Sequence, residues 1–402
     1  MPRAGQLKPV SDRRLSDLVS VGVIARTFPP GLVDEVVAGC GRTEQRARSL
    51  PARVMAYFSI GMALHADSSY EAALALMTDG LAWVEGTVPP VLPTSSAIFQ
   101  ARQRLGSEPV EALFGRVAVP LANEETPGSW LAGRRMVAID GTCLDLADTV
   151  ANDEFFGRPG VNKGERSAFP MARVVAVAEC GTHAMFDAVI GPYSAGENTL
   201  AQGLVDRLEP GMVCLADRGF CGFPLWSRAV VTGADLLWRA KANMKPKLVE
   251  VLDDGSWLAE FKPSGNAGRK AAGLLVRVVE FSIDDGRSED HEVYRLFTTL
   301  LDPEEVTATE LALAYAQRWE IEIAFGELKT YQRGPKSVLR SKSPDLVLQE
   351  IWGYLCCHYA IRTLMWEAAG HHNVDPDRVS FLDTLRIVRR SISAARDLSP
   401  SR

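Results

Sequence analysis

Two apolar runs in this chain end on an aspartate: Asp140 closes RMVAID and Asp217 closes VCLAD, each followed by a glycine or a polar residue. A carboxylate at the end of a buried strand is costly to desolvate unless it is paired or holds a cation, and open α/β sheets place their sites just beyond such ends. A turn or a helix cap is the alternative use of an aspartate there. The third acid comes from the stretch YAQRWEIEIAFGELK. At about 100° per residue, Arg318, Glu322 and Lys329 lie at about −60°, −20° and −40° from Tyr315, so the four share one narrow helix face. Glu320 and Glu327 fall at about 140° and 120°, on the other side, which singles out Glu322. An exposed Arg318–Glu322 pair four residues apart is the ordinary alternative.

The elements around these residues set how they meet. From Leu15 to about Leu121 apolar residues recur at threes and fours, punctuated by Pro29-Pro30, Pro51 and Gly106, which predicts an α-helical N-terminal region. From Arg135 the pattern shifts to short apolar runs: RMVAID, ARVVAVAEC and THAMFDAVIGPY as strands, ENTLAQGLVDRL as a helix, GMVCLAD as a strand. Three closely linked strands followed by a helical crossover predict a mixed α/β sheet. FPLWSRAVVTG (helix) and ADLLWRAK (strand) follow, and then about 245–294 reads as an inserted β subdomain with DDGSW, GNAG and DDGR turns. YRLFTTL returns to the main sheet, one long helix is expected from Glu304 to Tyr331, and the remaining residues read as helical.

Composition excludes several classes. The chain has 402 residues, with 44 Lys plus Arg against 50 Asp plus Glu, a net charge of −6; its pI near 5.7 argues against a uniformly basic DNA coat. At 47% hydrophobic and 23% charged residues it is an ordinary multidomain globular protein. No apolar run approaches the roughly 18 residues of a membrane span, and the N-terminus lacks a secretory pattern, so a cytoplasmic protein is expected. Seven scattered cysteines without a CxxC pair read as reduced thiols, and the six histidines show no zinc spacing, so any metal here uses oxygen ligands.

The spacing Tyr315, Arg318, Glu322, Lys329 resembles the YREK signature of bacterial DDE transposases of the insertion-sequence-four family. AIDGTCLDLADT with Asn152 and Phe156-Gly157 around the first acid, LADRGF around the second, and RSLPARVMAYFSIGMAL with PTSSAIFQARQRLG in the N-terminal region are similar to that family as well. The resemblance covers Leu15 to about Lys342. It implies a ribonuclease-H-like mixed sheet with a β-rich insertion, flanked by α-helical N- and C-terminal regions. The expected organisation is a DNA-binding domain over 1–130, a catalytic domain over 131–331 and a helical region over 332–402 with a dimerisation role. It also implies that Asp140, Asp217 and Glu322 bind two magnesium ions, for which manganese could substitute. The implied reaction is cleavage at element ends followed by strand transfer, carried out by a homodimer on double-stranded DNA. Tyr315, Arg318 and Lys329 would hold phosphates near the cut.

The acidic total leaves DNA binding to local clusters. KTYQRGPKSVLRSK, 329–342, carries five basic residues and no acid, which points to phosphate contacts at Lys329, Arg333 and Lys336. A second cluster is Arg42, Arg46, Arg48 and Arg53 against Glu44, and PTSSAIFQARQRLG presents Gln100, Gln103 and Arg104 as a candidate recognition helix. Trp238 and Trp257 are candidates for stacking on an unpaired base, with core packing the alternative for Trp238. Rival readings are a catalytically silent DNA-binding regulator and a two-metal nuclease without strand transfer. Two-acid glycoside hydrolysis needs neither a third acid nor a basic run.

Overall fold

The computed structural model describes residues 22–46, 48–85 (backbone only from 78), 92–160, 167–263, 265, 271–282, 293–334 and 337–391. Helices come first: α1 (Gly22–Thr27), α2 (Pro30–Gly39), α3 (Ala52–Gly61), α4 (Tyr70–Glu85), α5 (Ser95–Leu105) and α6 (Glu108–Val117). The middle holds β1 (Trp130–Leu131), β2 (Arg134–Asp145), α7 (Val150–Phe156), β3 (Met171–Glu179), β4 (Met185–Pro192), α8 (Glu197–Val205), β5 (Met212–Ala216), α9 (Phe223–Val230) and β6 (Asp235–Arg239). Then follow β7 (Lys247–Val251), β8 (Trp257–Phe261), β9 (Leu274–Ser282), β10 (Val293–Thr298), α10 (Ala308–Ala316), α11 (Trp319–Gly326), α12 (Pro344–His372) and α13 (Phe381–Ser391).

The strands form one sheet in the order β4-β3-β2-β5-β6-β10-β9-β8-β7, with β1 on β2. β4, β3 and β2 are an antiparallel meander, and β5 and β6 continue it in parallel, which is the ribonuclease-H-like order. Its central strands are apolar on both faces because helices cover both. Val137, Ile139, Val175 and Val177 pack under α8 and α9, whereas Met136, Ala138, Val174 and Ala176 belong to the core shared with the N- and C-terminal helices. The insertion departs from the expected subdomain. β7, β8 and β9 pair edge to edge with β10, and β10 pairs with β6, so the segment widens the main sheet.

The single helix expected over 304–331 is two helices and a wide turn. The N–H groups of Gln317, Arg318 and Glu320 bond three residues back, to Ala314 O, Tyr315 O and Gln317 O, which tightens the chain between α10 and α11. A π-helical segment, Glu327–Gln332, loosens it again. Thr307 and Glu310 form a capping box that fixes the start of α10. α12 runs 29 residues between the sheet and the N-terminal helices.

Candidate active site

The first aspartate does not end its strand. β2 continues to Asp145 with β3 as partner, but its parallel partner β5 stops at Ala216, opposite Ile139. Asp140 and Asp217 therefore each take the first position beyond the parallel pairing, side by side on adjacent strands. By alternation Asp140 projects from the face that carries Met136 and Ala138, toward α11. Its Oδ1 accepts from Gly141 N at 2.8 Å. Burial pushes its carboxyl up to about 6; the Gly141 N–H and Arg318 pull it down, and the charges of Glu322 and Glu197 push it further up.

Arg318 is buried and reaches both acids, with Nη1 2.7 Å from Glu322 Oε1 and 4.0 Å from Asp140 Oδ2. Tyr315 lies beneath it, buried, and its hydroxyl donates to Ala216 O at 3.4 Å, on the residue just before Asp217. Lys329 Nζ donates to Thr142 Oγ1 at 3.1 Å, two residues along the same strand face from Asp140. All members of the expected stripe thus converge on the end of β5, because the tightened turn and the π turn offset each other in phase. Trp319 stands beside them, 53% exposed, with the Arg318 guanidinium 4.7 Å over its ring.

The three acids expected as ligands offer only carboxylate oxygens, a donor set that suits hard divalent cations. Burial is what chiefly raises Asp140, and the Arg318 guanidinium lies between its carboxylate and that of Glu322. Asp140, Asp217 and Glu322 supply the donor type such a cation takes, although among the described residues the ligand atoms found within 4.8 Å of one another belong to His183, Glu320 and Asp377.

Glu320 and Glu327 belong elsewhere, as the wheel predicts. Glu320 accepts from Gly181 N in the β3–β4 turn, and burial pushes its carboxyl up to about 7. His183 Nε2 lies 3.6 Å from Glu320 Oε2 and 3.1 Å from Asp377 Oδ1, and the ligand atoms of these three residues sit within 4.8 Å of one another. Arg362, a pure donor, contacts His183 Nδ1, which leaves Nε2 as the ring nitrogen nearest the two acids. Glu327 pairs with Arg362 and lies 3.0 Å from His358 Nε2, fully enclosed by α12. These groups tie the catalytic helix to the C-terminal helices.

The basic run after α11 is partly internal. Arg333 is buried and donates to Ser337 O, and burial lowers its pKa. Arg340 donates to Ser68 O at 2.5 Å and Ala66 O at 2.6 Å. Lys336 lies outside the described residues. In the N-terminal region α5 starts at the expected Thr94 cap and stops at Gly106, with Gln100, Gln103 and Arg104 exposed. Arg42, Arg48 and Arg104 line a cleft of about 260 Å³ together with Glu44, which accepts from Ala52 N, while Arg53 pairs with Asp34. Trp238 is core, edge-on to Trp226 at 5.2 Å, whereas Trp257 is half-buried on β8.

One acid at this site escaped the sequence reading. Glu197, the first residue of α8, lies against Gly141 and bonds Arg173 Nη1 at 2.6 Å. Its only sequence cue is the glycine directly after Asp140.

Residues 18–115 match the family model described as insertion element 4 transposase N-terminal, and residues 131–359 match the transposase DDE domain. The chain belongs to the insertion-element-4 family of DDE transposases. This transposase is 30% identical over 376 residues to the transposase InsG for insertion sequence element IS4 of Escherichia coli K12, spanning 93% of this chain and 83% of that protein. It is 26% identical over 253 residues to the putative transposase InsZ of the same organism, 62% of this chain and 82% of the other. A piggyBac transposase synaptic complex with hairpin DNA, solved by cryo-EM, overlaps 92% of this chain and 79% of its own with a TM-score of 0.45 and 10% identity. The transposase is thus an enzyme of DNA transposition, and its DDE domain implies dependence on a divalent cation. No helix among the described residues is long and apolar enough to cross a membrane.

Proposed function

We propose that this transposase cuts DNA at the ends of its own element and joins the released ends to target DNA, using Asp140, Asp217 and Glu322 to hold two magnesium ions, with manganese able to replace them. The observation that carries this reading is the guanidinium of Arg318 held between Glu322 and Asp140 with Lys329 on the same strand face. Bound there, the cations would stabilise the attacking and leaving oxygens of an in-line displacement at phosphorus. The protein supplies orientation. β5 and its neighbour set the spacing of the aspartates, Tyr315 anchors the backbone at Ala216, and α11 brings Glu322 across. Arg318, with its planar fork, and Lys329, a point charge, are the cations placed to grip a phosphate at the cut. Tyr315 and Arg333 are buried with polar atoms engaged at Ala216 O and Ser337 O, so their part is to position. Trp319 offers the exposed ring on which an unpaired base could stack.

The cleft of Arg42, Arg48 and Arg104 with the exposed glutamines of α5 supports DNA contact by the N-terminal helices. Two ends must be held together before joining, so the active form is a dimer on DNA, at the nucleoid in the cytoplasm. Light scattering should give two protomers per pair of bound ends.

The test is to incubate the protein with linear DNA carrying the sequences that flank its gene, in magnesium or in EDTA, and to map breaks. Metal-dependent breaks at the element ends are expected; binding without breaks in either condition would instead indicate a silent regulator. Glu322→Gln should abolish cleavage while DNA binding persists, and undiminished cleavage by that variant would sink the assignment.

A further inference from the structure

We propose that Glu197, beside the cleft on the α8 face of the sheet, is a positioning residue whose charge strengthens the hold on the divalent cation at Asp140 and Asp217. The inference rests on the function proposed above. Glu197 begins α8, which packs on the sheet face opposite α11. A Cβ at position 141 would stand 2.8 Å from Glu197 Cγ and 3.1 Å from its Oε1, so the absence of a side chain at Gly141 lets the glutamate lie directly on the backbone that follows Asp140. The next residue completes the bridge. Asn198 Nδ2 donates to Gly219 O at 2.9 Å, two residues beyond Asp217, so Glu197 and Asn198 span the chain segments that carry the two aspartates.

The pairing around Glu197 mirrors that of the other face. Arg318 neutralises Glu322 on the α11 side, and Arg173 holds Glu197 Oε1 at 2.6 Å on the α8 side, with Asp140 and Gly141 between. Glu197 keeps about a third of its side-chain surface open, at 35%, so its carboxylate also faces the solvent from which a cation arrives. Its charge already acts on Asp140 in the same sense as that of Glu322. A divalent cation between the aspartates gains attraction from a carboxylate on either side of the strand that carries Asp140, and more so where protein walls limit screening.

The experiment measures manganese binding to the full-length, DNA-free protein by electron paramagnetic resonance, beside a magnesium titration of end cleavage. Glu197→Gln should weaken manganese binding about tenfold and raise the magnesium needed for half-maximal cleavage by a similar factor, with the melting temperature unchanged. Glu197→Asp keeps the charge but withdraws it by one methylene, and should lose less, about threefold. Wild-type manganese affinity in Glu197→Gln overturns the proposal; should that variant not fold, wild-type affinity in Glu197→Asp overturns it equally. Asp140→Asn separates the two readings. If the wild type binds manganese and Asp140→Asn binds it as well, the assignment of the three-acid site fails, whatever Glu197 does.

Discussion

Asp140 carries a cost that its metal would relieve. A carboxyl pushed up to about 6 by burial is mostly ionised at neutral pH but takes a proton just below it, and the proton competes with a cation. The magnesium needed for half-maximal cleavage should therefore climb as pH falls through about 6, whereas a titration between pH 7 and 8 should move it little; titrations at pH 5.5, 6.5 and 7.5 would check this. Glu327 behaves in the opposite way. Burial alone would raise its carboxyl, but contacts from His183 and His358 and the charge of Arg362 outweigh that and hold it well below the usual range. A depressed folded-state pKa contributes stability that is complete above the unfolded value of about 4.3 and fades as pH falls below it. Glu327→Gln should cost about 3 kcal/mol in urea melts at pH 7, because it leaves Arg362 buried without its partner, and that deficit should shrink in acid. From the sequence, Glu327 reads only as the acid on the wrong side of the helix, so its replacement looks mild. Its partners come from the β3–β4 turn and from α12, and no local pattern announces them.

The stripe of Tyr315, Arg318, Glu322 and Lys329 is legible because a period of 3.6 survives small distortions. The distortions themselves are not, since neither glycine nor proline marks the tightened turn at Gln317 and Arg318. The meander and its crossover are equally legible from apolar runs and turns, but the pairing of β10 with both β6 and β9 is a long-range event. The same limit explains the basic run. Arg340 bonds carbonyls more than 270 residues earlier in the chain, so a row of cations that reads as a DNA surface is partly a fastener to the loop that precedes α4. α12 crosses α3 so closely that a Cβ at Gly353 would stand 2.4 Å from Ser59 O. Gly353→Ala must push the two helices apart, and a loss of about 2 kcal/mol in denaturant unfolding is expected.

A protein of net charge −6 can hold DNA only by sorting its charges. In the N-terminal cleft three arginines, Arg42, Arg48 and Arg104, face the same space against one acid, Glu44, whose carboxylate accepts from Ala52 N, while Arg53 is paired with Asp34. Replacing these three arginines by alanine should weaken binding to any duplex and flatten the salt dependence of affinity by about 0.9 for each phosphate no longer neutralised, as measured by fluorescence anisotropy at several salt concentrations. Cleavage chemistry should survive at DNA concentrations high enough to compensate, since none of the three touches the acids at the end of β5.

The two faces of the catalytic helix carry acids that fail in different ways. Loss of Glu327 or Glu320 disturbs the joint with the C-terminal helices, whereas loss of Glu322 touches only the mouth of the cleft, where Arg318 can still pair with Asp140. Genetic drift in copies of such an element therefore has an easy exit. A change at position 322 leaves a folded protein that still occupies its sites and competes with active copies, so silenced descendants would be expected to persist as repressors of their own kind, while changes two residues earlier or five later would weaken the fold itself.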